Sequence, residues 1–164
     1  MFYDEEATRT EPGIGPLVLV VDDEPAARSA VSRMVRGLGY RVQACGSGRE
    51  ALRYLEAHPR EVKLLLADIA MPRMDGGELV ERARDLDPGI QAVLMAGPGE
   101  GQVEELLAGY RDLPALTKPV GFSELYGRLR ELLGPPAMTP GRPSSPGQPA
   151  RPRSARRPSG RHEI

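Results

Sequence analysis

The sequence is poor in several things at once. Of its 164 residues one is cysteine, none is tryptophan and two are phenylalanine. A single thiol, Cys45, excludes an intrachain disulfide framework. Sparse aromatics give little support for the stacking platforms of single-stranded nucleic-acid binders. No apolar run approaches the ~20 residues that a membrane-spanning helix needs. The opening stretch Met1-Phe2-Tyr3-Asp4-Glu5-Glu6 lacks the basic and apolar regions of a secretory signal. These absences leave a cytoplasmic globular protein with no membrane partner as the expectation. What is present agrees: a net charge of −1, 27% charged and 40% hydrophobic residues, and a length suited to one domain.

Composition changes sharply after Gly134. Residues 135–164 are mostly Pro, Gly, Ser, Ala and Arg, with Met138 and Ile164 as the only large apolar side chains. Such a segment cannot bury enough surface to offset its ordering entropy, so a disordered tail is expected. It carries six Arg and one Glu, a formal +5, which leaves −6 on residues 1–134. Residues 1–15 read as a short flexible lead-in, and residues 16–134 as the domain.

Within that domain the pattern alternates. Leu17-Val18-Leu19-Val20-Val21 is a continuous apolar run, suited to a strand buried on both faces. Pro25 sits where the first turn of a helix tolerates it. Val31, Met34, Val35 and Leu38 follow at helical spacing. Short strands are expected over residues 40–44, 62–67, 90–95 and 115–117. Between and after them, helices are marked by Ala51, Leu52 and Leu55, by Leu79, Val80, Ala83 and Leu86, by Val103, Leu106, Leu107 and Tyr110, and by Leu125, Leu129, Leu132 and Leu133. Five strand–helix alternations imply an α/β fold: a doubly wound parallel sheet of five strands with helices on both faces. In such sheets the ligand crevice lies at the carboxyl ends of the strands.

The acidic residues gather at those ends. Asp22 and Asp23 close the first strand, Asp68 closes the third, and Lys118 follows the fifth. If the first and third strands are neighbours, three carboxylates converge. They repel unless a cation neutralises them, and a hard divalent ion such as Mg²⁺ does so through oxygen ligands. One carboxylate as nucleophile, a metal as clamp and a lysine for developing charge suit phosphoryl transfer. Each residue also has a plainer reading. Asp22 or Asp23 could cap the helix that starts near Pro25, Asp68 could be a turn residue, and Lys118 a solvated surface charge.

Three stretches carry a resemblance. Val20-Val21-Asp22-Asp23-Glu24-Pro25, then Asp68-Ile69-Ala70-Met71-Pro72-Arg73-Met74-Asp75-Gly76, then Thr117-Lys118-Pro119 resemble the receiver domain of two-component response regulators, over about residues 16–134. The opening phrase and the Val-Leu-Met-Ala-Gly strand are especially similar to receivers attached to hybrid histidine kinases. The resemblance implies a flavodoxin-like (βα)5 fold and a role in phosphorelay signal transduction. Asp68 would be the phosphoacceptor, loaded from the phosphohistidine of a histidine kinase or phosphotransfer protein. Asp23 would bind Mg²⁺ directly, Asp22 largely through water, and Ala70 through its backbone carbonyl. Lys118 would contact the phosphoryl group, and the Lys118–Pro119 bond would be cis. Such a domain catalyses its own phosphorylation and dephosphorylation, as a signalling domain rather than a turnover enzyme.

Two positions depart from the family pattern. The Ser or Thr that usually ends the fourth strand is replaced by Ala96, or by Met95 if the alignment slips one residue, and the aromatic three residues before the lysine by Ala115. Neither the Mg²⁺ site nor the nucleophile requires them, but conformational readout ordinarily does. The alternative is therefore a pseudo-receiver, the same fold used only for protein contact. A Mg²⁺-dependent phosphatase would want a second Asp where Ala70 stands. A dinucleotide binder would want glycines where Asp22-Asp23-Glu24 stands. The thirty residues after Gly134 leave no room for a helix-turn-helix, so a stand-alone receiver without DNA binding is expected, its downstream partner unnamed.

Overall fold

The computed structural model describes residues 15–98 and 101–136. The expected lead-in and Arg-rich tail fall almost wholly outside them. The elements are β1 (Leu17–Val21), α1 (Pro25–Gly37), β2 (Arg41–Cys45), α2 (Gly48–Ala57), β3 (Val62–Asp68), α3 (Gly76–Leu86), β4 (Gln91–Ala96), α4 (Gly101–Gly109), β5 (Ala115–Thr117) and α5 (Phe122–Leu133). All strand pairs are parallel, in the order β2-β1-β3-β4-β5. The alternation implied the parallel five-stranded sheet, and the family resemblance its flavodoxin-like arrangement; both are found. Three strands sit one residue or so from where the pattern placed them, as is usual at element ends.

Side-chain alternation on β1 explains the two layers. Leu17, Leu19 and Val21 face one core shared with α2, α3 and α4, while Val18 and Val20 face the other, shared with α1 and α5. A strand buried on both sides has no polar face to show, which is why its sequence is uniformly apolar. β3 follows the same rule after an irregularity at Lys63. Leu17 pairs with Val62 and Val18 with Leu64, so Lys63 drops out of register, and its ammonium donates to the Arg60 carbonyl at 2.9 Å.

Caps fix where helices begin. Pro25 opens α1. Ser47 Oγ accepts from the Glu50 N–H at 3.1 Å at the start of α2, and Asp75 Oδ1 accepts from the Glu78 N–H at 2.8 Å at the start of α3. At the far pole, the Tyr40 hydroxyl donates to the Gly134 carbonyl at 2.8 Å, tying the end of α5 to the start of β2. Among the described residues no helix is long and apolar enough to cross a membrane.

Two adjacent glycines in α3 allow close approaches. A Cβ at Gly76 would overlap the Asp68 carbonyl, and one at Gly77 would overlap the Tyr110 ring. Tyr110, expected only to mark the face of α4, thus reaches across to the first turn of α3. Gly77→Ala is expected to lower unfolding stability by about 1–3 kcal/mol through overpacking, as read by urea denaturation. In a Tyr110→Ala background the same change should become neutral or stabilising, since alanine suits a helix better than glycine. Equal costs in both backgrounds would contradict this packing.

Candidate functional site

β1 and β3 are neighbours, so the topology brings Asp22, Asp23 and Asp68 to one crevice at the carboxyl edge of the sheet. Carboxylate oxygens of all three lie within 4.8 Å of one another. Lys118 arrives from the far side of β4. Its backbone N–H donates to the Ala96 carbonyl at 2.7 Å, extending the β4–β5 ladder up to the cis Lys118–Pro119 bond. From there Nζ reaches Asp22 Oδ2 at 2.7 Å and Asp68 Oδ2 at 3.2 Å. The Ala70 backbone lies next to this group, its N–H donating to Asp68 Oδ1 at 3.3 Å. All five residues singled out in the sequence therefore meet in one place.

The two buried carboxylates differ in their support. Asp22 is fully buried, and each of its polar groups has a partner. Its N–H donates to the Cys45 carbonyl at 3.2 Å, its carbonyl accepts from Arg28 Nη1 at 2.8 Å, and Oδ1 accepts from the Glu24 N–H at 3.0 Å, while Oδ2 takes Lys118. The plainer capping reading does not hold: Glu24, not Asp22 or Asp23, is the N-cap of α1, with no side-chain cap bond. Asp68 is 6% exposed. Burial pushes its pKa above the ordinary carboxylate value; the Lys118 charge opposes this and the Asp22 charge adds to it. Burial works against the Lys118 ammonium, yet its bond to Asp22 and the charges of Asp68 and Asp22 hold its pKa above the usual lysine value. Asp23 is exposed at the crevice mouth. Burial pushes the nearby Cys45 thiol up to about 12, which makes it an inert core group.

A cleft of about 580 Å³ opens over this cluster. Asp23, Glu24, Asp68 and Lys118 form its charged part, while Ala27, Val31 and Met34 of α1 and Pro119-Val120 form apolar walls. One ammonium facing three close carboxylates leaves net negative charge in a partly dry setting. That donor set fits a hard divalent cation held by oxygen ligands.

The positions lacking the usual switch side chains are equally clear. Ala96 pairs with Thr117, is buried, and faces the core shared with α3 and α4. Met95, one residue earlier, is fully buried in the opposite core, so Ala96 is the residue beside Lys118. Ala115 is exposed on β5. Sequence reasoning missed Arg28. The signal was its place in the first turn of α1, which holds no acidic residue although the helix dipole there favours one.

Comparison with known proteins gives a consistent answer. The response regulator receiver domain family matches residues 18–130. Sensor kinase CckA of Brucella abortus is 33% identical over 116 residues, covering 71% of this chain and 12% of that protein. An uncharacterized 14.6 kDa protein of Leptolyngbya boryana is 40% identical over 113 residues, covering 66% of this chain and 82% of that one. The crystal structure of the receiver domain of the hybrid histidine kinase CckA superposes with a TM-score of 0.59 at 30% identity, over 71% of this chain and 98% of that one.

The ion pairing has an asymmetric consequence. Lys118→Met strands the buried Asp22 carboxylate and is expected to cost on the order of 3 kcal/mol. Asp68→Asn should instead raise the melting temperature at pH 7 in EDTA. Because the folded-state pKa of Asp68 exceeds the unfolded value of ~3.9, its contribution is full below that value and is lost as pH rises through the folded value. The amide has no such loss. A melting temperature below wild type for Asp68→Asn at neutral pH would contradict this electrostatic account.

Proposed function

The chain belongs to the response regulator receiver domain family, and from that premise we propose that it accepts a phosphoryl group on Asp68 from the phosphohistidine of a histidine kinase or phosphotransfer protein in the cytoplasm. The single observation that carries this reading is the Asp68 carboxylate, held 3.2 Å from Lys118 Nζ in a cleft open to solvent. A carboxylate oxygen of Asp68 attacks phosphorus, the phosphorus–nitrogen bond to imidazole breaks, and the electron pair returns to the ring nitrogen. Lys118 stands where charge develops on the transferring group, already oriented by Asp22. The Ala70 N–H holds one Asp68 oxygen and so limits rotation of the carboxylate. Mg²⁺ would be held by Asp23 and Asp68, with Asp22 and the Ala70 carbonyl beside it. When bound it would neutralise the carboxylates and the phosphoryl oxygens.

Readout is the unusual part. An alanine methyl at position 96 cannot hydrogen-bond to a phosphoryl oxygen, and Ala115 has no ring to turn inward. A ligand shifts an equilibrium only by its differential contacts with the two states. Phosphorylation at Asp68 therefore couples weakly to α4 in this reading.

Two measurements test the pair of claims. Incubation with acetyl phosphate and Mg²⁺ should add one phosphoryl group by intact mass, with no adduct in EDTA or in Asp68→Asn. No adduct under any condition would favour a pure binding module instead. Amide chemical shifts of Val103–Tyr110 should change little with a phosphoryl mimic bound, and large changes there would contradict weak coupling.

A further inference from the structure

We propose that Arg28 is a positioning residue that fixes the Asp22–Asp23 turn for a divalent cation, an inference that rests on the cation site proposed above. Arg28 Nη1 donates to the Asp22 carbonyl at 2.8 Å. That carbonyl belongs to the peptide joining Asp22 to Asp23, so holding it sets the direction in which Asp23 leaves β1. The N–H and both carboxylate oxygens of Asp22 are already restrained by Cys45, Glu24 and Lys118. Arg28 supplies the remaining restraint on the residue before the exposed aspartate.

The same guanidinium also lies against the turn between β2 and α2. A Cβ placed on Gly46 would stand 3.2 Å from Arg28 Nη1 and 3.6 Å from Glu50 Oε2. Gly46 itself donates its N–H to Glu50 Oε2 at 2.9 Å. The lack of a side chain at Gly46 thus leaves room for a planar cation between two loops of the carboxyl edge. An arginine fits this task better than a lysine, since its fork is rigid and planar.

Charge and position make opposite forecasts. A guanidinium close to a cation site repels the cation, so charge alone predicts that removing Arg28 tightens Mg²⁺ binding. A positioning role predicts weaker binding, because groups that orient metal ligands typically contribute tenfold or more to affinity. Calorimetric titration of the full chain with Mg²⁺, in the absence of any phosphodonor, separates the two.

Arg28→Ala is expected to weaken Mg²⁺ binding about tenfold while unfolding remains cooperative. Unchanged or tighter binding would overturn the proposal. Gly46→Val keeps every charge and crowds the guanidinium, so it serves as the second arm if Arg28→Ala does not fold. Weaker binding there supports the role, and unchanged binding overturns it. Absence of Mg²⁺ binding by the wild type would overturn the cation site itself and this inference with it, whereas normal wild-type binding with an indifferent Arg28→Ala overturns the inference alone.

Discussion

One ammonium group holds the carboxyl edge of this sheet together. Lys118, which follows the edge strand β5, bonds to a fully buried Asp22 and to Asp68, at the ends of the neighbouring strands β1 and β3. Two buried carboxylates within reach of each other are costly, and removing their shared counter-ion leaves that cost uncompensated. The hydrogen bonds around Asp22 follow from this need, because a buried charge persists only when its polar groups are paired. Asp68 is left with partial compensation, and its raised pKa records the shortfall. Three carboxylates facing one ammonium form a donor set that suits a hard divalent cation.

The sheet exists to hold these groups at fixed spacing. Doubly wound parallel topology places neighbouring strand ends side by side at a crossover point, and here β1 and β3 meet there. Their backbones are locked by apolar contacts on both faces, so the aspartates at their ends inherit the rigidity of two cores. Gly76 lets the chain after Asp68 turn back closely over its carbonyl.

Much of this was legible in the residues. The uniform apolar run at Leu17–Val21 suited a strand covered on both sides, and the acidic pair after it then fell at its carboxyl end. Asp68 and Lys118 were placed by the same logic, and the family resemblance supplied the roles that spacing left open. What could not be read depends on contacts between distant segments. Arg28 looks like one more charge on a helix until its guanidinium is seen on the Asp22 carbonyl. Tyr110 looks like a helix-face residue until its ring is seen over Gly77. The register slip at Lys63 is likewise set by its partner strand, not by its own pattern. Ala96 and Ala115 are informative in the opposite sense. Both take up the expected positions in the fold, without the hydroxyl and the ring that the family usually carries there.

The central claim is that Asp68, and neither of its acidic neighbours, takes the phosphoryl group. The most direct measurement is reductive trapping: the chain is loaded from a phosphodonor with Mg²⁺, treated with borohydride, and digested for peptide mass analysis. An aspartyl phosphate is converted to homoserine by this treatment, and the account predicts homoserine at position 68 alone. Homoserine at Asp22 or Asp23, or its absence at position 68 in protein that carries the phosphoryl mass, would contradict it.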